Sequence, residues 1–182
     1  ESNVFLTTAS WTLALKQALR KLDVANAAST NNTAFPWNPQ ANTFGVSGDA
    51  ATNSSGLTYI AYCFAEKPGY SKMNSYIGNG NSDGAFIYTG FKPAFLIVKN
   101  TAISDNWSMF NNKALGYNTY NHIMYPDLPN TESNGLPIDF LANGFKWRNS
   151  AAMANGGSQK HVYMAFAEAP LVGTNNVPAN AR

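Results

Sequence analysis

Two stretches decide how the fold reads. Residues 59–66 run Tyr59-Ile60-Ala61-Tyr62-Cys63-Phe64-Ala65-Glu66, and residues 161–168 run His161-Val162-Tyr163-Met164-Ala165-Phe166-Ala167-Glu168. Each alternates in period two, as a strand requires. In the first, Ile60, Tyr62, Phe64 and Glu66 share one face and Tyr59, Ala61, Cys63 and Ala65 the other. In the second, Val162, Met164, Phe166 and Glu168 oppose Tyr163, Ala165 and Ala167. One face is bulky and the other mostly small. A strand apolar on both faces is expected near the centre of a sheet, closely covered on each side.

The two stretches also read as copies of one unit. Their Phe-Ala-Glu endings lie 102 residues apart, and Ala41-Asn42-Thr43-Phe44 precedes Ala142-Asn143-Gly144-Phe145 by 101. Trp11 and Trp107 each follow an apolar run, Val4-Phe5-Leu6 and Phe95-Leu96-Ile97-Val98. Repetition of a whole unit predicts one domain over residues 1–182, built from units at about 1–69 and 84–173 with a tail at 174–182. The second unit has a strand at Phe86–Tyr88 before the strand at Ala94–Lys99, both β-branched and aromatic and separated by Gly90 and Pro93. The first unit opens directly at Asn3–Thr7, so the chain is expected to be the C-terminal part of a longer polypeptide, or to dock on a neighbour that supplies the strand. Turn clusters recur at Asn53-Ser54-Ser55-Gly56, Asn79-Gly80, Asp83-Gly84, Asn134-Gly135 and Gly156-Gly157. The expectation is an all-β chain, a β-sandwich of jelly-roll or concanavalin-like type. Within Trp11–Leu22, residues 11–15 read as strand, and 16–22 stay open between a helical turn and a strand.

Composition narrows the functions. The 182 residues carry a net charge of +2, only 12% are charged, and 24 are asparagine, twice the 12 lysines and arginines. The polar surface is therefore amide, hydroxyl and glycine rather than ionic. No basic run exists to hold a phosphate backbone, which argues against nucleic acid as a partner. No apolar run reaches the 18 residues a membrane helix needs. The single Cys63 cannot form an internal disulfide or a zinc site alone, and between Ala61 and Ala65 it reads as a buried, inert thiol.

Against this background the run Thr58–Lys99, with Tyr59-Ile60-Ala61-Tyr62-Cys63-Phe64-Ala65-Glu66 at its head and Gly78-Asn79-Gly80, Gly90-Phe91 and Pro93 along it, resembles a domain that recurs in tail-fibre-like and other virion proteins of marine bacteriophages. The terminal stretch from Tyr163 to Arg182 resembles the C-terminal end of that family, and nearly the whole chain is covered. The resemblance implies a lectin-like sandwich on a phage particle, with virion localisation and other virion subunits as partners, by homotrimerisation or docking on a neighbour. It brings no catalytic residues. Its shared positions here, among them Phe64, Glu66, Gly90, Trp107, Gly144 and Phe145, are packing and turn residues.

Candidate chemistry is sparse. His122 and His161 lie far from any nucleophile elbow, and His161 reads as a packing or rim residue. Glu66 and Glu168 are the notable acid pair, each expected to close its strand by bonding backbone or a nearby Lys or Arg. Asp127, Glu132 and Asp139 read as turn residues. Asn79, Asn81 and Asp83, with Gly84 at the sixth position, imitate the first half of a calcium loop, but the twelfth position is Gly90 instead of Glu. The string is expected to be a glycine-rich turn with no metal, and no cofactor is expected. Sugars combine apolar C–H faces with many hydroxyls, so exposed aromatics beside amides are the candidate glycan contacts. Trp37, held between Pro36 and Pro39, with Tyr117, Tyr120 and Trp147, fills that role, while Trp11, Trp107 and Phe145 read as core. Trp147 follows Phe145 by two and shares its strand face.

These readings point to a phage virion structural protein, a tail-fibre or appendage domain attaching to host-surface polysaccharide, and not an enzyme. A capsid decoration or purely architectural module is the alternative. A polysaccharide-degrading enzyme would need two facing carboxyl groups in a groove.

Overall fold

The strands follow the alternation of the chain closely in its second half. The computed structural model describes residues 45–168, apart from 47, 49, 61 and 116. In order these are α1 (Ala50–Asn53), β1 (Ser71–Ile77), β2 (Phe86–Tyr88), β3 (Pro93–Asn100), β4 (Ser108–Asn111), β5 (Tyr120–Ile123), β6 (Ser133–Leu141), β7 (Gly144–Trp147), α2 (Ala152–Asn155) and β8 (Lys160–Ala167). They make two four-stranded antiparallel sheets, ordered β1-β8-β3-β4 and β2-β7-β6-β5. The chain is all-β in class, with two single-turn helices among the described residues.

β8 has the central place its sequence demands. It pairs with β1 from Ser71 opposite Phe166 to Ile77 opposite Lys160, and with β3 from Phe95 opposite Phe166 to Asn100 opposite His161. Its small-residue face, Tyr163 and Ala165, joins the main core with Ile87, Leu96, Val98, Phe110, Ile138, Phe140, Phe145 and Trp147, drawn from both sheets. Its bulky face, Val162 and Met164, joins a second cluster with Met73, Ile97 and Trp107. Trp107 and Phe145 are core residues, as their sequence context predicts. Met109 of β4 and Met124 exchange backbone hydrogen bonds of 2.9 and 3.0 Å, stitching one sheet to the other along that side.

The matching expectation for residues 59–66 does not hold. The described residues of 57–66 belong to no strand, and the place beside β8 goes to Ser71–Ile77. A tight turn at Pro68-Gly69 reverses the chain, with Tyr70 N–H donating to Lys67 O at 3.0 Å and Ser71 N–H to the same oxygen at 2.9 Å. Only the segment after that turn enters the ladder, its Met73 filling the second cluster. The described residues before it lie mostly on the surface. Phe64 is 39% exposed and touches Phe166 edge-on at 5.9 Å. The Tyr59 hydroxyl donates to Ala50 O at 2.8 Å and accepts Ser54 N–H at 2.9 Å, tying down α1. Cys63 is exposed, not buried, since among the described residues its stretch enters no sheet. The two aligned stretches thus take different structures. The expected first-unit elements at Asn3–Thr7 and Trp11–Leu22, Trp37 and the tail lie outside the described residues.

The Asn79–Gly84 string is a clasped turn. Asn79 Oδ1 accepts Asn81 N–H at 3.0 Å and Asn81 Oδ1 accepts Asp83 N–H at 2.9 Å. Asn155 at the end of α2 grips the same loop: its Oδ1 accepts Asn79 N–H at 3.0 Å, and its Nδ2 donates to Asn79 Oδ1 at 2.7 Å and Asn81 O at 2.9 Å. Gly78 and Gly84 permit the approach. A Cβ on Gly78 would lie 2.3 Å from Gly156 O, and one on Gly84 would lie 2.6 Å from Trp147. Of the oxygens that imitate a calcium loop, those of Asn79 and Asn81 are engaged with amides of the loop and of α2, and Asp83 Oδ1 with Lys146.

Candidate ligand-binding face

β2 is a three-residue edge strand, and period two leaves it one choice. Ile87 enters the core, so Phe86 and Tyr88 project from the opposite, outer face of the second sheet, where both are exposed. The register sets what lies beside them. Phe86 stands opposite Lys146 of β7, and Lys146 opposite Asp139 of β6; Tyr88 stands opposite Gly144, and Gly144 opposite Leu141. Gly144 makes room for the Phe86 ring, whose Cε2 and Cζ lie 3.0 Å from where a Cβ would sit. Gly90, at φ +85°, lies against the Tyr88 ring in the same way at 3.6–3.8 Å.

A polar chain runs alongside the two rings. Lys146 Nζ meets Asp83 Oδ1 at 2.9 Å, and Arg148 Nη1 approaches the same oxygen at 3.6 Å. Arg148 Nε donates to Asp139 Oδ2 at 2.6 Å, and Thr119 Oγ1 donates to Asp139 Oδ1 at 2.9 Å. The hydrogen bond from Lys146, with its positive charge, holds the Asp83 carboxyl below its ordinary value of 3.8. Two cations and two carboxylates pair off, so the face carries hydrogen-bonding groups with no net charge. Asn118 secures the neighbouring loop: its Nδ2 donates to Phe140 O and its Oδ1 accepts Phe140 N–H, each at 3.0 Å. Its neighbour Tyr117 is exposed.

Of the four aromatics expected to contact glycan, Tyr117 is on the surface and Trp37 lies outside the described residues. The other two are corrected. Trp147 is fully buried, its ring 5.6 Å from Phe110 and 5.9 Å from Phe145, and its Nε1 donates to Tyr76 Oη at 2.9 Å. Sharing a face with Phe145 puts it in the core. Tyr120 is buried too, packed on Phe140 at 4.9 Å, because its partner position across β6 is the core residue Ile138. Phe86 and Tyr88, which sequence reasoning passed over, are instead the exposed aromatics of the second sheet. The signal was available: a lone aliphatic between two aromatics in a three-residue strand sends the aromatics to the face away from the core.

The acids and histidines have structural partners. Glu66 pairs with Lys72, and Glu168 with Lys113 at 2.6 Å, the lysine partners expected of them. His122 pairs with Glu132. Asp139 is a buried strand residue of β6, not a turn residue. Asp127 Oδ1 accepts Trp107 N–H at 3.2 Å, and burial raises its carboxyl above the ordinary value. His161 is fully buried and stacks on Tyr76 at 4.9 Å, 8° from parallel, a packing position as expected. Among the described residues no three His, Cys, Asp or Glu side chains gather to hold a metal, and no helix is long and apolar enough to cross a membrane.

These observations define an all-β chain whose second sheet turns outward two exposed aromatic rings beside a chain of paired charges. A family model described as a domain of unknown function, DUF7483, matches residues 2–170, and the chain belongs to that family. No curated protein and no solved structure matches the chain.

Proposed function

We propose that this chain is a bacteriophage virion structural domain, part of a tail fibre or appendage, that presents the outer face of its second sheet to host-surface glycan. The observation that carries the reading is the pair Phe86 and Tyr88, exposed side by side on that face and flanked by Lys146, Asp139 and Arg148. Aromatic rings take up the C–H faces of a sugar, and fixed polar groups beside them orient its hydroxyls. Because the charges pair off, the ligand is an uncharged saccharide rather than a sulfated or carboxylated one. Support for the virion setting is the sequence resemblance of Thr58–Lys99 and of the C-terminal stretch. The two sheets are the layers of a jelly-roll or concanavalin-like sandwich in this reading. Among the described strands the first and last pair, β1 with β8 and β2 with β7, as when a long hairpin is rolled up.

The domain binds without cleaving: the acids that could have formed a catalytic pair are each engaged by a lysine. A glycan array probed with the whole chain tests the proposal. Neutral glycans are expected to give signal, and F86A/Y88A to abolish it at unchanged melting temperature. Signal that survives the double substitution, or a blank array, would point instead to a capsid decoration or architectural module. Release of reducing sugar from a bound polysaccharide would overturn the non-enzymatic part of the reading.

A further inference from the structure

We infer that Asn134 is a site of spontaneous deamidation, at which the folded chain converts its own side-chain amide to aspartate and isoaspartate. Asparagine followed by glycine is the reactive pair, because a glycine nitrogen brings no Cβ with it as it closes on the asparagine Cγ. The chain holds four such pairs, Asn79-Gly80, Asn134-Gly135, Asn143-Gly144 and Asn155-Gly156. Three of them are locked. Gly80 N–H donates to Asn155 O at 2.9 Å, and the Asn79 side chain is bonded to Asn81, Asp83 and Asn155. Asn155 is fully buried with its whole amide engaged. Asn143 is exposed, but its carbonyl accepts Thr89 N–H at 3.0 Å and Gly90 N–H at 3.2 Å. Its partner Gly144 is buried in β7, in register with Tyr88 on one side and Leu141 on the other.

Asn134-Gly135 is held differently. Both residues are exposed. The pairing of β6 with β5 passes from Asn134 opposite His122 directly to Ile138 opposite Tyr120, and its pairing with β7 starts at Ile138 opposite Trp147. Gly135 therefore has a register partner on neither side. Attack needs a rotation about the Asn134 Cα–C bond that swings Gly135 N toward Cγ, and an exposed residue matched in neither ladder eases that local opening. The backbone also keeps the reactive pair in place: Gly135 stands at φ +153°, a conformation that side chains rarely adopt. In the reaction Gly135 N gives up its proton and bonds to Asn134 Cγ, while the Cγ–Nδ2 bond breaks and Nδ2 leaves with that proton as ammonia. Water then opens the cyclic imide. Opening at Cγ yields aspartate, and opening at the main-chain carbonyl of residue 134 yields isoaspartate. Water is consumed, ammonia is released, and nothing is oxidised or reduced. The new carboxylate arises opposite His122, whose ring pairs with Glu132. The inference does not depend on the glycan reading.

The test uses the whole chain, incubated in mildly alkaline buffer and in the same buffer with denaturing urea. Peptide mapping by mass spectrometry follows the replacement of an amide by an acid at each asparagine. Protein isoaspartyl methyltransferase, supplied with S-adenosylmethionine, labels the isoaspartate. In the folded chain, product is expected at Asn134 alone among the four pairs, as a mixture of aspartate and isoaspartate, with an acidic shift in isoelectric focusing. In urea all four pairs are expected to react. Asn134 left intact in the folded chain over a time that converts it in urea overturns the inference. So does Asn79, Asn143 or Asn155 reacting as fast as Asn134 in the folded chain. Aspartate formed without isoaspartate would show direct hydrolysis of the side chain and overturn the cyclisation.

Discussion

Replacing Asn155 by aspartate is expected to destabilise the protein more than replacing it by alanine, although aspartate has nearly the same shape. Asn155 is fully buried. Its Nδ2 faces three oxygens, Asn79 Oδ1, Asn81 O and Asn149 O, at 2.7, 2.9 and 2.9 Å, while its Oδ1 accepts Asn79 N–H. Alanine removes all four bonds. Asn79 and Asn81 are exposed and regain water, so the loss comes mainly from the buried side of the clasp, about 2–4 kcal/mol. Aspartate keeps the acceptor but sets a carboxylate oxygen among three others. A buried charge without a partner costs about 3–5 kcal/mol, so N155D is expected to fall below N155A at neutral pH. The pH dependence separates the two mechanisms. Crowding by oxygens raises the folded-state carboxyl above its unfolded value of about 3.9. Between those two values the folded state holds more protons, so N155D loses stability as pH rises and regains it on acidification. The N155A-to-N155D difference isolates that term. Urea unfolding of both variants and the wild type at about pH 4 and pH 7 measures it. An aspartate variant at least as stable as the alanine variant at neutral pH, or a difference that does not change with pH, would refute the clasp as described.

Other expectations follow from the same packing. Trp147→Ala should cost about 3–5 kcal/mol in chemical denaturation, whereas a glycan-contacting tryptophan would leave stability unchanged. Phe64→Ala should cost under about 2 kcal/mol, since the ring is partly in water, and Phe166→Ala, whose ring also meets Tyr70 and Phe95, should cost more; equal losses would show that Phe64 packs more deeply than its exposure indicates. For His161, burial pushes the imidazole below 6.5, although the carbonyls of Ala152 and Gln159, each 3.1 Å from a ring nitrogen, act the other way. The folded state then binds fewer protons than the unfolded one just below pH 6.5, so this contribution is complete above that pH and lost on acidification. An NMR titration placing His161 above 6.5 would reverse the sign. Gly144→Ala should detach β2, because the new Cβ would stand 2.2 Å from Ile87 O, and should remove glycan signal together with stability.

Period-two alternation in the chain determined the class of the fold and the strands β2, β3 and β8, because alternation is a local property that any sheet must satisfy. It determined the two faces of β8, and it contained the place of Trp147, since a residue two along from core Phe145 shares its fate. It could not tell that Tyr59–Glu66 would be left outside the ladder. That stretch has stronger strand composition than Ser71–Ile77, but a strand forms where a partner edge accepts it, and the turn at Pro68-Gly69 delivers the later segment to β8. The same limit hid the burial of Tyr120 and the exposure of Cys63, which depend on what lies across the sheet. The outward face is a tertiary product as well. Phe86 lies far along the chain from Asp139, Lys146 and Arg148, which belong to the β6–β7 hairpin and the residue just after it, and only the register of β2 on β7 brings Phe86 beside them.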